Sequence, residues 1–162
     1  MQVIDAQVHA YERNHKNRPW IDELVGPDEV TGESLVKEMA SVGVDGAILV
    51  SPWTMYRYDA SYAKSVYEKY PNKFRLVKPV DPNNPEVGEI IQEWAKNNGA
   101  VAIRLMLAYE EQRNLSDHGL DVVMRTASRC NFPVNLLCWE NVEEAGHLAK
   151  QYPDTRLVID HL

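Results

Sequence analysis

Val3-Ile4-Asp5-Ala6-Gln7-Val8-His9 opens the chain with a polar residue at every second position. On extended backbone that period puts Asp5, Gln7 and His9 on one face and Ile4, Ala6 and Val8 on the other. Two later runs repeat the pattern. Val101, Ile103 and Leu105 alternate with Ala102, Arg104 and Met106, and Val134, Leu136 and Cys138 alternate with Asn135, Leu137 and Trp139. An open sheet covered by helices on both sides has no place for a face carrying Asp, Gln, His and Arg. The interior of a parallel barrel does, with polar groups towards the C-terminal ends of the strands. The alternation therefore favours a barrel over an open doubly wound sheet.

Working outward, six apolar runs recur at 2–9, 44–51, 74–81, 101–107, 133–139 and 156–162. Their starts are spaced by roughly 31 residues, the size of one unit of a (β/α)8 barrel. Helix punctuation fills the gaps. Thr31 is placed to cap a helix carrying Leu35, Val36, Met39 and Val42, with Gly43 past its end. Asp59 begins a helix stopped by Pro71, and Asn84-Pro85 begins one closed by Gly99. Leu120 to Arg129 reads as a helix, and Asn141 with Glu144 as a capping box for the last. The expected fold is α/β, a (β/α)8 TIM-barrel type of which about six units are present, as a single domain over 1–162. The last run ends on Ile159-Asp160-His161-Leu162. It suggests a fragment, a truncated reading frame or a chain completed by a partner, since six units leave strand edges unpaired.

Composition removes several classes. Of 162 residues, 44% are hydrophobic and 25% charged, which is globular. Seventeen Lys and Arg against 24 Asp and Glu give a net charge of −7, with no basic cluster to neutralise phosphates, so nucleic acid is not expected as a partner. No apolar run is long enough for a bilayer, and the N-terminus lacks the pattern of a secretion signal. The two cysteines, Cys130 and Cys138, have no CxxC spacing. A cytoplasmic protein without membrane partners is expected. No GxGxxG, P-loop, GxSxG or HExxH motif occurs.

Candidate site residues cluster at strand ends. Asp5, Gln7 and His9 in a row suit metal binding or proton transfer, or else a satisfied structural Asp and His. Asp160-His161 ends the sixth run, so a barrel carries it to the same rim as His9. Two imidazoles there are candidate metal ligands, although a catalytic zinc normally has three protein ligands. Arg104 either holds a substrate carboxylate through its planar fork or pairs with a buried carboxylate, Asp5 or another. Lys78 and Asp81 at the end of the third run are weaker candidates for the same work. Trp53, Tyr56 and Tyr58 either wall a substrate pocket or pack the core of their loop.

These residues resemble a known family. Val3 to His9 is similar to the opening strand of amidohydrolase-related (β/α)8 enzymes, whose pattern is Asp-x-His-x-His. Pro79-Val80-Asp81-Pro82, Val101-Ala102-Ile103-Arg104, Phe132-Pro133-Val134-Asn135 and Leu157-Val158-Ile159-Asp160-His161-Leu162 resemble strand motifs of the branch with 2-pyrone-4,6-dicarboxylate lactonase and sugar lactonases. The resemblance implies hydrolysis of a small carboxylated lactone or ester, at a C–O or C–N bond. His9 and His161 would polarise the carbonyl, position the water or hold a weakly bound divalent metal such as zinc. Asp5 and Asp160 would orient histidines, and Arg104, Gln7, Lys78 and Trp53 would contact substrate. Gln7 replaces the first His of the pair, Leu137 replaces a His common in the fifth strand, and the family's last-strand Asp base lies outside these residues, so a hydrolase is expected whose first 162 residues alone are nearly inactive. A metal-dependent decarboxylase and a non-catalytic binding module are the alternatives. The expected partner is the small carboxylated substrate, with a homo-oligomer left open as an assembly.

Overall fold

The computed structural model describes residues 1–108 and 118–161. Strands and helices alternate as β1 (Ile4–Val8), α1 (Gly32–Ser41), β2 (Gly46–Val50), α2 (Trp53–Tyr56), α3 (Ser61–Lys69), β3 (Phe74–Pro79), α4 (Val87–Ala95), β4 (Ala100–Leu105), α5 (His118–Arg129), β5 (Val134–Leu137), α6 (Val142–Gln151) and β6 (Leu157–Asp160). They form two compact units, Met1–Pro79 and Val80–Leu162. No described helix is long and apolar enough to cross a membrane.

In the first unit β1, β2 and β3 run parallel in that order. Helical crossovers make this necessary, because parallel neighbours cannot be joined by a tight turn. Thr31 Oγ1 accepts the Ser34 N–H at 3.1 Å and starts α1, as its spacing predicted. Gly43 then leaves the helix at φ 76°. Asp59 works one residue ahead of the cap position, where Oδ1 accepts the Ser61 N–H at 2.8 Å. The short helix α2 was not expected, since four residues carry no readable period. It ends at Arg57, whose φ of 49° and ψ of −113° are unusual for a residue with a Cβ. The core of this unit is built on Leu49, Val50, Phe74, Leu76 and Met55. The long segment between β1 and α1 is pinned by a second cluster, in which Tyr11, Met55 and Tyr56 are buried against Trp20, Val30 and Tyr62.

The second unit repeats the plan, with β4, β5 and β6 parallel in order. Both faces of β4 and β5 are covered, and Ile103, Leu105, Val134 and Leu136 have no measurable exposure. Trp94 of α4 is buried and donates its indole N–H to the Ala102 carbonyl of β4 at 3.0 Å. The capping box expected at Asn141 does not form. Asn141 occupies the cap position, but its side chain makes no capping bond, and its carbonyl takes the first helical N–H groups instead. Leu162, expected within the last strand, lies outside the described residues.

Candidate active site

Within the first unit, site candidates lie at the C-terminal halves of β1, β2 and β3. The simple alternation expected for β1 is broken. Asp5 pairs with Ala47 and Val8 with Leu49, so three steps along β1 match two along β2. That slip is a bulge, and it removes Asp5 from the row of Gln7 and His9. Asp5 is exposed, and Oδ1 accepts the Gln7 N–H at 3.0 Å, so its carboxylate fixes backbone rather than an imidazole. His9 Nδ1 lies 2.8 Å from the Val50 carbonyl oxygen. A carbonyl only accepts, so Nδ1 carries the proton and Nε2 the lone pair. The Gln7 amide Nε2 sits 3.4 Å from that Nε2 and donates towards it.

Lys78, half-buried in β3, donates from Nζ to the Tyr58 carbonyl at 2.6 Å. Burial pushes its pKa down from the ordinary lysine value, with Lys64 pushing the same way and Asp59 opposing. Ser51 at the end of β2 is fully buried and donates to the Asp59 carbonyl at 2.8 Å. These two bonds hold the loop after β2 against the sheet. Trp53 lies under the Arg57 guanidinium at 4.1 Å and meets Tyr58 edge-on at 6.4 Å. Tyr56, in contrast, belongs to the buried cluster with Tyr11 and Met55.

Within the second unit, Arg104 of β4 and Asp160 of β6 form a buried pair. They are 3% and 7% exposed, and Arg104 Nε stands 2.9 Å from Asp160 Oδ2. The partner of Arg104 is thus Asp160, the alternative that the sequence left unspecified. The contact is electrostatic more than directional, because the Nε–H is not aimed along that line. Among the described residues Arg104 Nε and Nη2 and both Asp160 carboxylate oxygens have no hydrogen-bond partner, so the pair is held by charge alone. Asn135 of β5, 9% exposed, stands in ladder register with Arg104. Cys138, fully buried after β5, has its thiol pKa pushed up by burial and then by the Asp160 charge, which does not suit a nucleophile. His161 is exposed and follows β6 with φ 63°. Asp81 accepts the Asn83 N–H at 2.9 Å and so shapes the turn after β3. Sequence reading gave no role to Ser51 and Arg57, whose contacts arise from loop packing rather than from any motif.

The amidohydrolase family model matches residues 4–162. No curated protein sequence matches the chain. Among solved structures, a probable 2-pyrone-4,6-dicarboxylic acid hydrolase from Acinetobacter baumannii, with citric acid bound, is 20% identical at a TM-score of 0.80. The match covers 99% of this chain and 58% of that one. A zinc-bound amidohydrolase from Burkholderia multivorans is 16% identical at a TM-score of 0.80, over 99% and 58% of the two chains. A manganese-bound 5-carboxyvanillate decarboxylase from Novosphingobium aromaticivorans is 14% identical at a TM-score of 0.68, over 98% and 65%. The chain therefore spans a little under three-fifths of the first two relatives. The likeness shows its fold, six consecutive units of an incomplete (β/α)8 barrel.

Zinc and manganese in those relatives raise the question of a metal here. Among the described residues no three His, Cys, Asp or Glu side chains come together as a cation requires. The neighbour of His9 Nε2 is an amide donor, which opposes a cation. Among the described residues the donors present do not fit a tight metal centre. With the family model matched from the first strand to the last described one, and the fold in agreement, the chain belongs to the amidohydrolase family.

Proposed function

We propose that this chain carries part of the active site of a hydrolase acting on a small carboxylated lactone or ester. The observation that carries the reading is Arg104, a guanidinium almost sealed from solvent whose Nη2 donors no described side chain takes up. Buried donors of this kind are costly unless something accepts from them, and a planar fork is matched by a carboxylate. In (β/α)8 enzymes the catalytic groups come from the C-terminal ends of strands, which is where His9 follows β1 and Asp160 closes β6.

Roles then follow from the contacts. His9 is held by Val50 with its lone pair on Nε2, so it accepts a proton from a water rather than donating to a carbonyl. The water adds to the lactone carbonyl, the ring C–O bond breaks, and the leaving oxygen takes up a proton. Gln7 orients that water beside His9, and His161 is assigned to the carbonyl oxygen. Lys78 and Trp53 bear on the substrate's second polar or flat part. Asp5 acts indirectly, by fixing the Gln7 backbone. The proposed partners are the small carboxylated substrate and a second copy of the chain. Both cysteines are unpaired, which suits a reducing cytoplasm.

The test is an assay of the full-length protein on 2-pyrone-4,6-dicarboxylate and its dimethyl ester, following pyrone absorbance and released gas. Ring opening of the diacid without CO₂ is expected, with the diester far poorer. Arg104→Met raises KM for the diacid by about tenfold or more, the worth of a charged hydrogen bond. Release of CO₂ would replace this reading with a decarboxylase, and tight binding without turnover would replace it with a binding module.

A further inference from the structure

We infer that Asp160 is a positioning residue that works through Arg104, holding the guanidinium so that its Nη2 donors meet a ligand carboxylate. The inference rests on the carboxylate reading of Arg104 given above. Asp160 comes from β6 and Arg104 from β4, two strands apart, with Asn135 of β5 between them in register. Ladder pairing sets Asp160 against Leu137, one pleat beyond the Arg104–Asn135 level. The guanidinium is thus drawn along the strands towards their C-terminal ends, where (β/α)8 barrels bind ligands. Asp160 Oδ2 stands 2.9 Å from Nε, and Nη2 is left without a hydrogen-bond partner among the described residues. A carboxylate placed to neutralise the arginine would be expected to take both donors as a fork. One set close on the Nε side balances the charge, draws the guanidinium to that side and keeps the Nη2 donors available.

The experiment uses the ¹⁵N-labelled chain, with citrate as the anionic probe because it carries carboxylates and no lactone. Two quantities are read: hydrogen exchange at the Arg104 Nε–H, and the citrate affinity. In the wild-type protein the Nε–H exchanges slowly and its signal moves on adding citrate. Asp160→Asn is expected to speed that exchange by about tenfold or more and to weaken citrate by about tenfold, as losses of a supporting partner do. Asp160→Glu, which keeps the charge on a longer stem, falls between. In an Arg104→Lys background the Asp160→Asn change has no further effect on citrate. Two results overturn the inference: unchanged Nε–H exchange in Asp160→Asn, or tighter citrate binding in it, which would make Asp160 only a repelling charge. Should Asp160→Asn fail to fold, Asp160→Glu carries both measurements. A wild-type Arg104 signal indifferent to citrate and to 2-pyrone-4,6-dicarboxylate overturns the carboxylate reading, whereas the exchange rates still decide whether Asp160 holds Arg104.

Discussion

Arg104 and Lys78 show how far a single residue's chemistry depends on what the fold places beside it. The alternation Ala102-Ile103-Arg104-Leu105 makes Arg104 an interior residue, and the structure buries it. Its partner was not legible, because Asp160 meets it only through the stagger of β4, β5 and β6, and register across strands has no signature in one sequence. The place of Asp5 along β1 was hidden for a related reason, a register shift that period-2 reading cannot anticipate. Lys78 was legible only as a lysine in an apolar strand. Its half-buried ammonium is disfavoured by desolvation, so the folded chain gives up that proton below the ordinary 10.5. Between the lowered folded value and 10.5 the unfolded chain binds more protons at Lys78 than the folded one, so this residue contributes stability that rises with pH across that window. Below it both states are charged, and the full penalty of burial applies. Urea midpoints measured from neutral pH to about pH 10 should therefore climb more, or fall less, in the wild type than in Lys78→Met, the Cys138 thiol opposing equally in both. An equal slope in both proteins would place the titration elsewhere.

At the scale of elements, caps and stops were read correctly where a side chain or a glycine acts locally. Thr31 and Gly43 do what their positions require, Gly43 at φ 76°, whereas α4 already ends at Ala95 with Lys96 as its cap and Gly99, at φ 85°, turns the chain into β4 instead. Asn141 was misread because its carbonyl already satisfies the first turn of α6 and leaves the side chain without work. The turn after α2 was invisible for a different reason. Arg57 adopts a conformation suited to glycine, and it is held there by bonds to the Trp53 and Thr54 carbonyls and by an ion pair with Asp22. Close approach between strands is likewise a structural fact first. A Cβ on Gly46 would stand 2.9 Å from the Lys73 carbonyl oxygen and 3.3 Å from Ile4 Cδ1. The Lys73 carbonyl accepts the Ala47 N–H at 2.8 Å, so it cannot withdraw without loosening the β2–β3 pairing. Gly46→Ala should therefore destabilise the protein by about 1–3 kcal/mol, the usual penalty of overpacking. Gly43→Ala has open space around its Cβ, and its cost is confined to the positive φ. Thermal unfolding of the two variants separates steric from conformational cost, and an unchanged Gly46→Ala midpoint would refute the close approach.

For the molecule as a whole, unit spacing and strand patterning were enough to give the fold, because a repeated β/α unit is redundant information. Misreading one helix cap does not disturb the count. The site was less legible because its parts are single residues on separate strands, with no redundancy to protect them. Charge and surface apolarity are whole-molecule properties too, and here they oppose one another. A net charge of −7 keeps copies apart. Against it, β6 exposes Val158 and Ile159 at 45% and 42%, and Val142 at the start of α6 adds 47%. Among the described residues β6 is paired on one side only, by β5. An apolar strand with unpaired backbone groups is a template for another strand, and no Lys or Pro within it blunts that edge. A polypeptide of these 162 residues should therefore self-associate, more strongly as salt screens the acidic charge. Ile159→Glu places a charge on the exposed strand and should weaken association by about tenfold, the equivalent of one apolar contact of roughly 1.4 kcal/mol. Sedimentation velocity at two salt concentrations reads both effects. A wild-type chain that stays monomeric at high salt would mean that twist and charge already protect the edge.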